Sequence, residues 1–236
     1  MLTQVEREPT TTQTAVLDRG FVRLDAAMAD DLAVVNAARV SFGRRREELD
    51  ERDEGLVRFL LRNRHGTPFE HAVFRYHVKA PIFVAREWFR HRTSSFNERS
   101  ARYSEMPDEF AVPAAEDVRT QVGKPGSYSF EPVEPERAER AREAIEEVYR
   151  TAYRTYQELL AEGVAREVAR AVLPVGLYTE FYWTVNARSL MNFVSLRAAE
   201  TAQREIRSYA EACERFFGEK MPITHAAFAA NDRTAP

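Results

Sequence analysis

Cysteine is nearly absent, since Cys213 is the only one in 236 residues. A single cysteine excludes an internal disulfide framework and a cysteine-rich metal site. It leaves one candidate thiol nucleophile. However, Ile206, Tyr209, Cys213 and Phe216 recur at intervals of three and four residues, which places Cys213 on the apolar face of a helix. We therefore interpret Cys213 as a packing residue.

Long apolar runs and an excess of positive charge are also missing. No run approaches the roughly 20 apolar residues of a membrane span. The first eight residues lack the basic start and apolar core of a signal peptide. A net charge of −3 at pH 7 argues against nonspecific polynucleotide binding, which needs a broad basic face. These features predict a cytoplasmic, single-domain protein that contacts neither membrane nor polynucleotide.

Lysine is scarce, because 31 of the 34 basic residues are arginine. An arginine cluster therefore partly reflects composition. The segment from Arg86 to Arg102 nevertheless contains five arginines and two glutamates, a local charge of +3 in an acidic chain. Arginine donates parallel hydrogen bonds to phosphate or carboxylate and stays charged, so this segment predicts a site for a small anion. Ser95 and Glu98 have the spacing of a capping box that turns the chain back.

The residue pattern predicts an α/β fold with a mixed sheet flanked by long helices, in one domain over residues 15–228. Residues 1–14 and 229–236 are predicted to be flexible tails. Strands are predicted on both sides of residues 18–20, at 73–80 and at 177–185. Helices are predicted at 32–40, 47–63, from 81 to about 92, at 137–162, 164–172, after Asn186 and at 202–217. Residues 104–135 are predicted to be a long loop, either a lid over a ligand or a disordered segment.

Two histidines, His65 and His71, flank a hydroxyl and a carboxylate in a turn. Their six-residue gap is not the helical spacing of paired metal ligands, and no cysteine lies nearby. We therefore predict no metal site, and we expect this loop to position a substrate or to cap the next strand.

Arg197 is predicted to point inward, because it lies close to the helical line of Leu190 and Val194. An inward arginine needs an acceptor or an anionic partner. The sequence offers either a structural acid such as Glu200 or a ligand, and we favour the ligand.

Arg90-His91-Arg92, followed after seven residues by Ser100-Ala101-Arg102, resembles the signature of the flavin-dependent thymidylate synthases. Further likeness lies in residues 65–80 and in the run from Asn186 to Asn192. The resemblance implies an α/β homotetramer that converts dUMP to dTMP. Methylenetetrahydrofolate would give the carbon, and FAD reduced by NADPH would give the hydride. The lack of a cysteine nucleophile agrees with a flavin route.

The resemblance also implies roles for individual residues, with the FAD sites shared between subunits. The residues expected to hold FAD are Thr67, Arg90, His91, Arg92, Glu98, Asn186, Arg188 and Asn192. The residues expected to hold dUMP are Glu87, Arg90, Ser100, Ala101, Arg102, Arg170 and Arg197. Arg197 is the expected catalytic residue, favouring ionisation of the pyrimidine at N3. Glu87 stands where relatives carry glutamine, and an acid beside a phosphate repels it unless an arginine pairs with the acid.

Two other classes of protein use similar residues. A nucleotide-binding or RNA-binding module would use the same arginines and aromatics but would bind no flavin, and its affinity would fall steeply with salt. A helical scaffold would bind neither a nucleotide nor a flavin. The visible spectrum of the purified protein separates these alternatives from a flavoenzyme.

Overall fold

The structure is a computed structural model and describes residues 13–124 and 127–236. The strands in these residues are β1 Gln13–Val16, β2 Gly20–Met28, β3 Val73–Pro81, β4 Ser95–Glu98, β5 Arg119–Lys124, β6 Ser127–Pro132 and β7 Tyr178–Asn186. The α-helices are α1 Asp31–Arg39, α2 Glu51–Arg62, α3 Ile82–Trp88, α4 Pro135–Ala161, α5 Arg166–Ala169, α6 Ala187–Arg197, α7 Arg204–Lys220 and α8 Pro222–Ala230.

The chain divides into two compact units. The first, which we call the sheet unit, comprises residues 13–80, 84–98 and 180–236. The second, the helix unit, comprises residues 81–83, 99–124 and 127–179. No helix in the described part of the chain combines the length and the hydropathy that crossing a bilayer requires.

A five-stranded sheet has the strand order β1-β2-β3-β7-β4. β1 and β2 form the hairpin predicted around residues 18–20, with Val16 opposite Gly20. Three pairings, β1 with β2, β2 with β3, and β4 with β7, are antiparallel. The predicted α/β class is confirmed.

Large aromatic side chains fill the core of the sheet unit. Trp88 at the end of α3 lies 4.7 Å from Phe193 of α6 and 5.1 Å from Trp183 of β7, measured between ring centroids. All three side chains are fully buried. Packed rings of this size contribute most of the apolar area that a core removes from water, so they fix α3 and α6 against β7.

The residue pattern predicts a helix cap at Asp30 or Asp31 and another at Asn186, and the structure confirms Asp30 and Asn186 as caps. The side chain of Asp30 accepts a hydrogen bond from the backbone N–H of Ala33 at the start of α1. The side chain of Asn186 accepts one from the N–H of Ser189, 2.9 Å away, at the start of α6. Each cap satisfies one of the N–H groups that have no partner within a helix.

The capping box predicted for Ser95 and Glu98 is wrong, because these residues belong to β4. β4 pairs with β7 and places Phe96 opposite Trp183. The spacing of a serine and a glutamate is local, whereas the free edge of β7 is a tertiary feature that a single short segment does not reveal. The pairing matters for the site because it anchors the chain immediately after the Arg90-His91-Arg92 segment.

The predicted helix over residues 47–63 begins later, at Glu51. Asp50 and Asp53 form a capping box that starts α2. The spacing of apolar residues in this segment predicts that Leu49, Leu56, Phe59 and Leu60 face inward. Phe59 is instead 46% exposed, and Val57, Leu60 and Leu61 are the buried apolar residues of α2. The apolar face is therefore rotated relative to the prediction.

The helix unit is built around α4, which confirms the long helix predicted before Gly163. Gly163 follows α4 with a φ of +81°, a conformation that favours glycine. Tyr156 of α4 is fully buried, and its hydroxyl oxygen accepts a hydrogen bond from the N–H of Met106 over 3.2 Å. The buried cluster comprises Met106, Phe110, Tyr156, Ala169 and Leu177.

Two predictions for the helix unit are wrong. Residues 104–135 contain regular structure, because β5 and β6 pair as an antiparallel hairpin whose residues are all exposed. The helix predicted over residues 164–172 has Val164, Val168 and Val172 on one inward face, but Val168 and Val172 are 58% and 36% exposed. The valines follow a helical period, but α5 is only four residues long and does not present one continuous face.

The predicted tails fall partly on regular structure. Residues 1–12 lie outside the described residues, and β1 begins at Gln13. At the other end α8 continues to Ala230. The chain then folds back, and Arg233 Nε donates to Glu214 Oε1 over 2.9 Å.

Candidate functional site

A cavity of about 800 Å³ opens in the sheet unit where the segment after α3 meets α6. Six of the residues predicted to bind cofactor or substrate line it together: Arg90, His91, Arg92, Arg188, Asn192 and Arg197. Its other lining residues are Glu70, Thr93, Trp183, Val185, Ser189, Leu196, Ala235 and Pro236. Four arginines against one glutamate make the lining strongly cationic, and Leu196 adds an exposed apolar side chain over the buried Trp183 and Val185.

The Arg90-His91-Arg92 segment is placed by the end of α3 and the start of β4. α3 ends at Trp88, and the N–H of His91 donates to the main-chain oxygen of Trp88. Ser94 Oγ donates to the main-chain oxygen of His91 over 2.6 Å. The segment is therefore held as a turn, and both exposed arginines lie next to His91 in the lining of one cavity.

The N-terminal part of α6 supplies the other side of the cavity. Arg188 and Asn192 are four residues apart and share a helical face. The N–H groups of a helix N-terminus favour negative charge, so an anion near these residues is stabilised by the helix as well as by the arginine.

Arg188 is fixed from three directions. Its Nη1 lies 2.6 Å from Glu70 Oε1, and its Nε donates to the main-chain oxygen of Pro236 over 3.0 Å. Gly66 leaves room for the guanidinium, because a Cβ there would lie 2.5 Å from Arg188 Nε. The glycine that the sequence marked only as a turn residue thus admits an arginine to the cavity.

Arg197, at the last residue of α6, is held at the end of α3. Its Nη1 lies 3.1 Å from Glu87 Oε2, and its Nε lies 3.1 Å from His91 Nε2. The side chain is 23% exposed. The inward direction predicted for Arg197 is confirmed, and its acidic partner is Glu87 and not Glu200. Arg197 also satisfies the requirement that the acid at position 87 pairs with an arginine.

The same contacts define the protonation of His91. Burial, Arg197 and Arg90 together lower the pKa of His91 to about 4. The imidazole is therefore neutral at pH 7. Because Arg197 Nε can only donate, His91 Nε2 must accept, and the ring proton is on Nδ1. This leaves Nδ1–H as the donor that His91 can offer to a ligand.

Glu87 has a shifted pKa as well. Burial raises the pKa of its carboxyl group above the ordinary value, Arg197 lowers it, and Glu205 raises it. The raised pKa shows that removal from water outweighs the attraction of Arg197 at this position.

The remaining predicted nucleotide residues belong to the helix unit. Ser100 Oγ accepts hydrogen bonds from Arg102 N and Nε over 3.3 and 3.4 Å. Ala101 packs against the buried cluster of this unit. Arg170 begins a 3-10 turn and is exposed. These residues supply a hydroxyl and two exposed guanidinium groups for an anion.

Three residues predicted to bind FAD do not line the cavity in the sheet unit: Thr67, Glu98 and Asn186. Thr67 is exposed at the start of a 3-10 helix, and Glu98 is exposed at the end of β4. The side-chain oxygen of Asn186 is occupied by the cap of α6.

Sequence reasoning missed the lining residue Glu70, which pairs with Arg188, and it missed Gly66, which lies outside the lining but leaves room for the Arg188 guanidinium. Glu70 was noted only as a carboxylate between two histidines. Within residues 13–124 and 127–236, no group of three or more histidine, cysteine or acidic residues is arranged to hold a metal ion.

The comparisons with known proteins decide the family. Residues 23–223 match the family described as "Thymidylate synthase complementing protein". The chain belongs to the flavin-dependent thymidylate synthase family. Membership confirms the enzyme class and the FAD dependence that the Arg90-to-Arg102 motif predicts.

Two members of this family and one solved methylase are similar to almost the whole chain. The flavin-dependent thymidylate synthases of Thermosipho africanus and Thermotoga neapolitana are 51% and 52% identical over 213 residues, 90% of this chain and 92% of each relative. The UMP/dUMP methylase PolB from Streptomyces cacaoi, solved with 5-Br UMP, is 42% identical with a TM-score of 0.86, covering 94% of this chain and 98% of PolB.

Cys213 does not line the cavity that the arginines form. It is fully buried in α7, and burial raises the pKa of its thiol well above the usual value, so the thiol stays protonated at pH 7. We expect Cys213→Ala to retain thymidylate synthesis and to lower the free energy of unfolding by about 1 kcal/mol. Assays of turnover and of thermal unfolding on the FAD-loaded variant test this. Lost turnover in a folded variant that binds FAD and dUMP would contradict it.

Proposed function

We propose that this chain methylates dUMP to dTMP, taking the carbon from methylenetetrahydrofolate and the hydride from FAD that NADPH has reduced. The observation that carries this proposal is the convergence of Arg90, His91 and Arg92 with Arg188 and Asn192 on one cavity. The two segments are about a hundred residues apart in sequence, and together they supply the cations that a dinucleotide diphosphate needs.

The cavity suits a flavin dinucleotide in size and in chemistry. Its volume of about 800 Å³ is within the usual range for cofactor sites. Arg90, Arg92 and Arg188 are donors for phosphate oxygens, and Leu196, which is 56% exposed, offers an apolar surface to a ring. When bound, FAD supplies the hydride. Arg188 uses Nε–H and one N–H of Nη1 for Pro236 and Glu70, and a phosphate oxygen can accept from its other N–H bonds.

dUMP is proposed to bind through Ser100, Ala101, Arg102 and Arg170, mainly at its phosphate. PolB, 42% identical to this chain, was solved with 5-Br dUMP, and this likeness supports a pyrimidine nucleotide as substrate. Arg197 is proposed to contact the pyrimidine and to stabilise negative charge at N3. A fixed cation of this kind lowers the energy of an anion that develops during the reaction.

We propose that the enzyme is a cytoplasmic homotetramer with FAD sites shared between subunits. Thr67, Glu98 and Asn186 are expected to bind FAD but do not line the cavity formed by the other expected residues. Donation of these residues by a second copy of the chain would account for this arrangement. The mass of the FAD-loaded protein by light scattering tests the tetramer.

The test of the proposed function is FAD binding followed by product formation. We expect the protein saturated with FAD to retain bound flavin by its visible spectrum. We also expect the loaded protein to form dTMP when dUMP, methylenetetrahydrofolate and NADPH are added together. Omission of each reactant in turn is the control. A folded protein that takes up no FAD, or a loaded protein that forms no dTMP, would contradict the proposal.

A further inference from the structure

The guanidinium of Arg197 is held by a single residue on two of its three nitrogens. Besides the contact of Nη1 with Glu87 Oε2 at 3.1 Å, Nη2 donates to the main-chain oxygen of Glu87 over 3.4 Å. The third nitrogen, Nε, donates to His91 Nε2 over 3.1 Å. Arg197 therefore joins the end of α6 to the end of α3 through a fork whose every nitrogen has a partner.

Both acceptors on Glu87 have a physical reason to bind a guanidinium. The main-chain oxygen of Glu87 is among the last carbonyls of α3, which lack partners within the helix, and it accepts from the N–H of Arg90 and from Arg197 Nη2, each over 3.4 Å. The carboxylate is partly buried, so a cation beside it offsets its loss of water. The contact is thus a fixed feature of the helix end, unlike a pairing between two mobile surface side chains.

The remaining hydrogens of Arg197 are then directed by Glu87. A guanidinium has five N–H bonds, of which three are engaged by Glu87 and His91. One N–H on each Nη remains. Arg197 lines the cavity whereas Glu87 does not, so a ligand in the cavity meets the arginine and not the acid.

We propose that Glu87 is a positioning residue for the methylation step, which fixes the Arg197 guanidinium so that its two remaining N–H bonds are presented to the pyrimidine. The proposal rests on the proposed role of Arg197 and assigns to Glu87 an action on dUMP through that arginine. A displacement of about 1 Å in a group that contacts the reacting atoms is enough to slow a reaction about a hundredfold.

Glu87 is expected to affect the reaction in two opposite ways: its oxygens hold Arg197 in place, and its negative charge weakens the positive field of Arg197. A carboxylate beside Arg197 weakens the positive field that stabilises an anion, so an acid is the less favourable choice if field alone matters. Glutamine keeps an oxygen that accepts from Nη1 and removes the charge. Alanine removes both the acceptor oxygen and the charge. Aspartate keeps the charge, but its carboxylate is one methylene group farther from Arg197. These three variants separate position from charge.

The experiment compares Glu87→Gln, Glu87→Ala and Glu87→Asp as FAD-loaded enzymes. The readouts are flavin reduction by NADPH without folate, KM for dUMP, and single-turnover dTMP formation at saturating dUMP. Glu205→Gln is the matched control, because the charge of Glu205 raises the pKa of Glu87, whereas the hydrogen bonds of Arg197 go to Glu87 and His91. We expect the Gln variant to form dTMP within about threefold of the parent.

We expect the Ala and Asp variants to reduce flavin normally and to form dTMP about tenfold to hundredfold more slowly at saturating dUMP. The Glu205→Gln control is expected to match the parent. An Ala variant at the parent rate would overturn the proposal, and so would a Gln variant as slow as the Ala variant. If Glu87→Ala fails to fold, the contrast between Asp and Gln decides the question in the same way.

The His91 ring gives a readout that does not require turnover. Glu87→Gln and Glu87→Ala remove the same charge, so a difference between their His91 titration midpoints, followed by NMR of the five histidines, reports the position of Arg197. We expect a higher midpoint in the Ala variant, because Arg197 moves away from the imidazole. Equal midpoints would overturn the positioning role. A parent protein that binds no FAD would instead contradict the proposed function, and this titration would still show whether Glu87 holds Arg197.

Discussion

Arg197→Ala is expected to slow dTMP formation at least about a hundredfold at saturating dUMP, while FAD stays bound and reducible by NADPH. The loss corresponds to about 3 kcal/mol of transition-state stabilisation, the effect of removing one strong donor from a developing negative charge. Flavin reduction is expected to survive because it needs the cofactor site and not the activation of the pyrimidine.

Arg197→Ala could also lose activity because the variant is less stable, since Arg197 forms an ion pair with Glu87. Removing Arg197 leaves a partly buried carboxylate without its guanidinium, which lowers the free energy of unfolding whatever the arginine does in catalysis. The double variant Arg197→Ala/Glu87→Gln removes this unpaired charge. We expect the double variant to recover the thermal stability and to remain as slow in dTMP formation as Arg197→Ala.

Arg207→Ala is a matched control for the loss of an arginine, since Arg207 lies on α7 and makes a surface ion pair with Glu211. This control should form dTMP at the parent rate. Single-turnover assays, dUMP binding and thermal unfolding on all three variants give the comparison. If the double variant forms dTMP as fast as the parent, Arg197 is not catalytic and its role is to neutralise Glu87.

The parts of this site that could be predicted from the sequence are those whose residues are close together in the chain. The motif from Arg90 to Arg102 and the capped helix after Asn186 were both identified from local residue order. Their meeting at one cavity depends on the packing of Trp88 and Phe193 in the core, which joins α3 to α6. The aromatic spacing predicts that such residues are buried but not which of them touch.

Partners of charged residues were the least predictable feature. Arg197 was assigned Glu200 as its structural alternative because Glu200 is the nearest acid along the chain, whereas Glu87 is 110 residues away. Gly66 gave no local sign that it accommodates Arg188. The α5 and β5–β6 regions were predicted incorrectly for a related reason, since short elements take their form from neighbours that a periodic pattern does not identify.

Arg188 belongs to the proposed FAD site and contacts Glu70 and Pro236, and its replacement has the second large expected effect. Arg188→Ala is expected to raise the Kd for FAD about tenfold to hundredfold, because hydrogen bonds to a charged group each contribute about 1.5–3 kcal/mol. Glu70, which loses its ion-pair partner, is 39% exposed on its side chain, so water replaces the arginine with little effect on stability.

Gly66→Ala tests the same guanidinium without removing it. Gly66 has φ −72° and ψ −30°, a conformation that alanine adopts without strain. The added Cβ would nevertheless lie 2.5 Å from Arg188 Nε, so the arginine must move. We expect weaker FAD binding by Gly66→Ala, with thermal unfolding of the FAD-free protein close to that of the parent. Arg58→Ala, which removes an exposed arginine paired with Glu54 on α2, is the control and should bind FAD like the parent.

The double variant Gly66→Ala/Arg188→Ala shows whether the two effects are one. If Gly66 acts only by admitting Arg188, the methyl group has nothing left to displace once the arginine is gone, so the double variant should bind FAD as Arg188→Ala does. Independent contributions would add instead. Kd values for FAD from fluorescence titrations of the parent, both single variants and the double variant complete the cycle. Additive losses would show that the loop at Gly66 contacts the cofactor by itself, and an Arg188→Ala protein with the parent Kd would remove Arg188 from the FAD site.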